Sequence, residues 1–269
     1  MTVTPAAPRT PRLRYVYAVC RPFDGVLPEG LRAIGDQPPR LLRHGDLVAV
    51  VGAVPAEDFD EAPLRARLED LDWLAATARA HDAVIAALTT VTCPLPLRLA
   101  TVCRDDSGVR RLLEEGHDRF VRALERLDGR VEWGVKVYAE PEPEPEPRQE
   151  PRQPAAAPAA GGGRDYLRRR LQQRRGQEAG LRRAEDLARR LHDELSRHAE
   201  AATVHPPQDA KLSGAGGVNV LNAAYLIDRE RGEGFVQLVR GASEEGVRVE
   251  LTGPWAPYSF AGIAEEEAA

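Results

Sequence analysis

Apolar and polar residues recur with different periods along the first half of this chain. The stretch LRYVYAVC, residues 13–20, is rich in β-branched and aromatic residues and predicts a strand. The stretch PRLLRHGDLVAVVGAVP, residues 39–55, predicts two strands joined as a hairpin by a turn at His44-Gly45-Asp46. Apolar residues then recur every three or four positions over residues 63–88, which predicts a helix.

Three further elements follow before the composition changes. CPLPLRLATVC, residues 93–103, predicts a strand after a proline-marked entry. Ser107 is a candidate N-cap for a helix that runs through Leu127. VEWGVKVYAE, residues 131–140, alternates between an apolar face and a polar face that includes Glu132, and this alternation predicts a half-buried strand.

The second half begins with a long helical pattern over residues 164–201. VNVLNAAYLIDRE (218–230) and VRVELTGPW (247–255) predict strands, with a short helix between them and an edge strand near Val204. The helical pattern carries a narrow apolar seam, which predicts packing on a sheet or on another helix. The seam residues are Leu181, Ala184, Ala188, Leu191 and Leu195.

These elements predict an α+β protein with two domains. We expect an N-terminal, ferredoxin-like domain over residues 13–140, in which helices cover one face of a mostly antiparallel sheet, after a disordered arm over residues 1–12. Residues 141–163, PEPEPEPRQEPRQPAAAPAAGGG, predict an extended polyproline-II linker with a flexible end, or a proline-rich ligand for a partner. A second, modified ferredoxin-like domain with a long helix and an aromatic C-terminal segment is expected over residues 164–269.

Composition adds limits on the class of protein. The chain of 269 residues has a formal net charge of −5, which argues against a dedicated nucleic-acid binder. Its three cysteines, Cys20, Cys93 and Cys103, have no repeated spacing and do not indicate a disulfide framework. From this cysteine usage we expect a cytoplasmic protein, and the N-terminus lacks the apolar region of a secretory signal.

The sequence contains little that indicates catalysis. None of the six histidines forms an H-E-x-x-H motif, and SGAGGVNV, residues 213–220, departs from a phosphate-binding loop because Asn219 occupies the third glycine position. No G-x-S-x-G motif is present. We therefore expect no catalytic residue, no cofactor site and no metal site.

Near its end the chain concentrates aromatic residues in TGPWAPYSF, residues 252–260. The two prolines restrict the backbone and present the rings at low cost in conformational entropy. Trp255, Tyr258 and Phe260 are thus candidate partner-binding residues. The alternative is that these rings fold back onto their own domain as a latch.

Several stretches, in this order, resemble the gas vesicle protein F/L family. In the first half they are RYVYAVC, DWLAATARAHDAVI, PLPLRLATVC and VEWGVKVY, and in the second half RDYLRRR, LNAAYLID and TGPWAPYSF. The chain departs from the family pattern at Leu99 and Ala100, where an aromatic residue and a glycine are typical, and at Ala256, where a second proline is common.

The resemblance implies an accessory or minor structural protein of gas vesicles, the hollow protein shells that provide buoyancy. It implies partners among the apolar shell subunit and other accessory proteins, a location in the cytoplasm at the vesicle, and no enzymatic activity. It implies no nucleic acid, membrane or small-molecule substrate. Two alternatives from the residues alone stay open: an enzyme with an unrecognised interdomain site, and a nucleic-acid-binding regulator that uses the arginine-rich helix after residue 163.

Overall fold

A computed structural model of the chain describes residues 11–35, 37–140, 162–207 and 216–262. The expected N-terminal arm and the proline-rich linker fall almost entirely outside the described residues, as do the first three residues of the SGAGGVNV stretch. The chain divides into two compact units, one formed by residues 1–132 with residues 254–269 and the other by residues 133–253.

The first unit contains a five-stranded sheet in the order β2-β3-β1-β4, with β5 also paired to β1. β1 pairs antiparallel with β3, β4 and β5, and β2 pairs antiparallel with β3. The predicted hairpin is confirmed, and Gly45 in its turn has a φ of 59°, in the region that favours glycine. The strands are β1 (Arg12–Cys20), β2 (Arg40–His44), β3 (Leu47–Pro55), β4 (Leu95–Pro96) and β5 (Val102–Cys103).

Five helices accompany this sheet: α1 (Ala56–Phe59), α2 (Glu61–Arg67), α3 (Leu71–Thr89), α4 (Asp106–Glu115) and α5 (His117–Leu127). The single helix expected over residues 63–88 is interrupted because Asp70 has an extended backbone and caps α3 by accepting from the N–H groups of Asp72 and Trp73. The cap of α4 is Asp105, which accepts from Gly108 N–H, and the prediction of Ser107 as the cap was wrong.

The core of the first unit lies between the sheet and α3. Tyr15 and Tyr17 of β1 are fully buried, as are Ile85 and Leu88 of α3. Burying an aliphatic side chain of this size stabilises a fold by about 2 kcal/mol, so the apolar face of α3 contributes substantially to holding the helix on the sheet.

A series of buried hydrogen bonds crosses this core. The Ala100 N–H donates to Tyr15 Oη at 3.0 Å, and Tyr15 Oη lies 3.0 Å from His81 Nδ1. We assign the Tyr15 hydrogen to His81 Nδ1, because this pairing gives the hydroxyl an acceptor, and the hydrogen of the neutral imidazole is then on Nε2. Burial lowers the pKa of His81 to about 4 and raises the pKa of Tyr15 to about 12.

The single strand expected over residues 93–103 is wrong, because the structure has two short strands there. β4 and β5 are separated by residues 97–101, and Ala100 within that interval has a φ of 64°. A left-handed residue interrupts an extended strand, and Pro94 and Pro96 lack the N–H that a continuous ladder requires. Glycine suits that backbone, whereas alanine strains it.

The second unit contains a four-stranded sheet in the order β7-β8-β6-β9. We expected the strand over residues 131–140 in the N-terminal domain, but the structure places it, as β6, in this sheet, where Val135 and Val137 share a core with Tyr225. The elements are β6 (Arg130–Ala139), α6 (Gly162–His198), β7 (Ala201–Val204), β8 (Val218–Asp228), α7 (Gly232–Gly241) and β9 (Val247–Trp255).

The apolar seam of α6 packs as predicted over its second half. Ala184, Ala188, Leu191 and Leu195 are buried in the core of the second unit. The face of β6 that was expected to be polar is in part buried, since Tyr138 on that face is 2% exposed. The Cζ atom of the Arg248 guanidinium lies 4.2 Å from the centroid of the Tyr138 ring. A cation over an aromatic face is attracted by the ring quadrupole, which favours this burial.

We predict that Ala100→Gly stabilises the protein by about 0.5–1 kcal/mol. Glycine removes the left-handed strain, which costs about 1–2 kcal/mol, against a smaller loss in the entropy of the unfolded chain. Urea unfolding measures the change, with Ala83→Gly on the exposed side of α3 as a control that is expected to destabilise by about 1 kcal/mol. Equal destabilisation by both substitutions would contradict the assigned backbone at Ala100.

We also predict that the free energy of unfolding falls by about 2 kcal/mol between pH 7 and pH 5 through His81 alone. The folded pKa of His81 is lowered to about 4 by burial, whereas an unfolded histidine titrates near 6.5, so the unfolded state takes up the proton first as the pH falls. The stabilising effect is complete above pH 6.5 and is lost toward pH 4. Urea unfolding of the chain and of His81→Phe at both pH values isolates this contribution, and an identical pH dependence of the two would refute it.

Candidate functional site

Residues 254–262, which we call the C-terminal segment, form part of the first unit and not of the domain in which we expected them. Ala256 is 6% exposed and belongs to the same core cluster as Tyr15 and Ile85, and Pro257 beside it is also buried. The segment begins directly after Gly253 of β9, whose φ of 122° is a conformation that other residues rarely adopt. Burial of these apolar groups explains why the segment packs on the first unit.

A buried carboxylate holds the C-terminal segment. Glu132 is 8% exposed, and its Oε2 and Oε1 accept from the Ser259 N–H and the Ser259 hydroxyl, each at 2.7 Å. Hydrogen bonds to a charged acceptor are about twice as strong as neutral ones. Glu132 was expected on a polar, exposed face, and its burial is a feature that the alternating pattern of residues 131–140 did not reveal.

Tyr258 is held from a different side. Its hydroxyl donates to Asp82 Oδ1 at 3.1 Å, and its ring centroid lies 6.2 Å from that of His81. Burial is the main cause that raises the pKa of Tyr258 above its ordinary value, and the neighbouring Asp82 carboxylate raises it further. The hydroxyl is therefore protonated and acts as a donor at neutral pH.

The three aromatic residues singled out from sequence have different environments. Phe260 is 8% exposed and Tyr258 is 37% exposed, and both lie in one turn of 3-10 helix, whereas Trp255 at the end of β9 is 50% exposed. Phe260 and Ala256 therefore act as a latch on their own unit. Trp255 presents an accessible indole, and its role in partner binding stays a prediction.

The sequence reasoning missed three residues that define this region, namely His81, Asp82 and Glu132. An acidic residue inside an apolar strand, as in VEWGV, was the available signal for Glu132. His81 and Asp82 gave no comparable signal, because an HD pair in an amphipathic helix does not by itself indicate burial.

Within the described residues, no cluster of three or more His, Cys, Asp or Glu side chains is arranged to hold a metal ion. Among the same residues, no helix combines the length and the apolar character needed to cross a membrane.

Two curated relatives are similar to this chain over most of their length. Gas vesicle protein L of Streptomyces sp. (strain CB03234) is 77% identical over 258 residues, covering 96% of each chain. Gas vesicle protein F of the same strain is 30% identical over 254 residues, covering 91% of this chain and 98% of the relative.

Two crystal structures share the fold. GvpF from Anabaena sp. PCC7120 matches with a TM-score of 0.63 at 20% identity, over 94% of this chain and 97% of the other. GvpF from Microcystis aeruginosa matches with a TM-score of 0.59 at 20% identity, over 93% and 98%. The mixed α and β fold with antiparallel sheets is therefore shared with these proteins.

The family description "Gas vesicle synthesis protein GvpL/GvpF" matches residues 13–262, which includes both sheets and the C-terminal segment. With the full-length similarity to a gas vesicle protein L, this match confirms the resemblance seen in the motifs. The chain belongs to the GvpL/GvpF family of gas vesicle synthesis proteins.

Proposed function

We propose that this chain is an accessory protein of gas vesicle assembly, which binds the apolar shell subunit and other accessory proteins in the cytoplasm and assists nucleation of the shell. The observation that carries the proposal is the 77% identity to a gas vesicle protein L across nearly the whole chain. The identity to the protein F of the same strain is 30%, so we assign the chain to the L branch.

The physical role of such a partner follows from the shell. A subunit with a gas-facing apolar surface aggregates in water before it assembles, because contiguous apolar area is unstable when exposed. A partner that covers this surface lowers the free energy of the unassembled subunit. The described residues include no metal-binding cluster, and the proposed activity needs no cofactor or catalytic group.

Trp255 is the side chain that we assign to partner contact. Its indole is half exposed, while the backbone that follows it is held by buried Pro257 and by the bonds between Ser259 and Glu132. A ring on a fixed backbone loses little conformational entropy on binding, and tryptophan is frequent among residues that dominate interfaces. Tyr258, which is 37% exposed, extends this surface.

We further propose that both units have a ferredoxin-like arrangement. The two sheet orders, β2-β3-β1-β4 and β7-β8-β6-β9, are the same permutation of four strands. The second unit also has a helix after its first and its third strand, as the β-α-β-β-α-β motif requires. In the first unit the described residues between β1 and β2 form no helix, and α1, α2 and α3 follow the third strand.

Binding to the shell subunit is tested by mixing purified chain with the subunit during its dilution from denaturant. We expect the chain to keep the subunit in the supernatant and to co-elute with it. In cells that form gas vesicles, deletion of the gene is expected to abolish flotation and the intact gene to restore it. Normal flotation after deletion, together with no effect on subunit solubility, would refute the proposal.

Substitutions in the C-terminal segment separate binding from folding. Trp255→Ala is expected to leave the melting temperature within about 2 °C and to weaken subunit binding at least tenfold, since the lost indole is exposed. Phe260→Ala is expected to destabilise the protein by about 3 kcal/mol, because Phe260 is buried. Circular dichroism and co-elution measure the two effects.

Two controls accompany these variants. Trp255→Phe keeps a ring and is expected to retain most of the binding, while Val26→Ala removes another exposed apolar side chain, 82% accessible, and is expected to change neither property. If Trp255→Ala unfolds the protein or binds normally, the assignment of Trp255 to a partner is wrong.

A further inference from the structure

A groove with a volume of about 760 Å³ opens on the first unit, well within the range of about 300–1,000 Å³ that is usual for binding sites. Its walls come from α3, from the interval between β4 and β5, from α4 and α5, and from the C-terminal segment. The apolar part of the lining includes Pro96, Leu97, Leu99, Leu112 and Phe120.

The strained backbone shapes one wall of this groove. Leu99 and Thr101 line it on either side of Ala100, whose φ is 64°. The left-handed residue turns the chain away from a regular strand, so that residues 97–101 form a wall in place of a continuous edge. Strain of this kind persists where surrounding contacts enforce it, here the hydrogen bond from Ala100 N–H to Tyr15 Oη.

The charged lining is predominantly positive on a chain whose net charge is −5. Three arginines, Arg79, Arg98 and Arg119, line the groove, and Arg79 and Arg119 form no ion pair with another described residue. Asp82 is the one carboxylate among the described residues that line it, and it already accepts from the Tyr258 hydroxyl. The groove therefore favours an anionic group over a cationic one.

A buried donor lies in the same lining. His81 is 4% exposed, and its Nε2 is buried without a hydrogen-bond partner among the described residues. With the Tyr15 hydrogen assigned to Nδ1, Nε2 carries the imidazole hydrogen, and a buried N–H without an acceptor is destabilising. An occupant that brings a carbonyl or carboxylate oxygen to this nitrogen recovers that loss.

We propose that this groove binds a peptide segment of a protein partner that carries carboxylates between apolar side chains. The leucine and phenylalanine walls accept the apolar side chains, the arginines at the rim pair with the carboxylates, and His81 Nε2 donates to an oxygen of the peptide. A nucleic acid strand fits less well, because the described lining residues include three arginines and the walls between them are mostly aliphatic, with Phe120 as the aromatic member. The inference does not depend on the role in gas vesicle assembly.

Fluorescence polarisation of a labelled peptide, acetyl-Leu-Glu-Leu-Glu-Leu-amide, with the full chain tests the proposal. We expect saturable binding that weakens at higher salt, and at least tenfold weaker binding of the matched peptide in which glutamine replaces glutamate. The double variant Arg79→Ala/Arg119→Ala is expected to lose at least tenfold in affinity, about fivefold or less for each arginine, with an unchanged melting temperature because both side chains are exposed.

Arg110→Ala is the matched control, since Arg110 is an exposed arginine of α4 outside the groove lining and is expected to leave the affinity unchanged. Equal binding of the glutamate and glutamine peptides, or equal loss in the control and the double variant, would overturn the proposal.

Two other occupants of the groove would give different results, one in the peptide assay and one in sedimentation. If replacing Glu265, Glu266 and Glu267 by glutamine raises peptide affinity at least tenfold, the groove is filled by this chain's own acidic residues and the partner assignment fails. If the chain sediments as a dimer that the double variant dissociates, the occupant is a second copy, and the assignment fails likewise.

Discussion

The buried Glu132 carboxylate holds the C-terminal segment in place, and both surfaces that we assign to other molecules depend on this segment. It accepts from both the N–H and the hydroxyl of Ser259, and thereby connects the beginning of β6 to residues that lie more than a hundred positions later in the chain. A carboxylate that is removed from water without donors is strongly destabilising, so these two bonds are a condition for its burial. With Ser259 held, Ala256 and Phe260 enter the core, Tyr258 meets Asp82, and Trp255 is left accessible.

The same constraint links the two surfaces that we assign to other molecules. Tyr258, Ala261 and Gly262 form one wall of the groove, so the groove exists only while the C-terminal segment is in place. Another wall depends on Ala100, where an alanine holds a left-handed backbone at a cost of about 1–2 kcal/mol. Backbone strain and a buried donor on His81 occur side by side here, and both are features that proteins usually keep only where a site requires them.

The organisation of the second unit changes how the proline-rich segment is interpreted. We expected it to separate two domains, yet β6 before it and α6 after it pack in one core, through Val137 on one side and Leu191 and Leu195 on the other. The segment thus connects two elements of the same unit. Such an insertion is tolerated because the entropic cost of closing a loop grows slowly, by about 0.6 kcal/mol for each doubling of the loop's length.

Local patterns in the sequence determined the elements themselves. The hairpin around Gly45, the apolar seam that ends at Leu195 and the strand that begins at Val218 follow from turn chemistry and from periods of two or of three to four residues, which act between near neighbours. Membership of the GvpL/GvpF family was likewise readable from ordered motifs. Only the tertiary structure decided that β6 joins the second sheet, that Glu132 is buried, that the strand after Cys93 breaks at Ala100, and that His81 lies in a groove with Arg79 and Arg119. These outcomes depend on partners far away in the chain, and periodicity along a segment carries no information about which distant residue will face it.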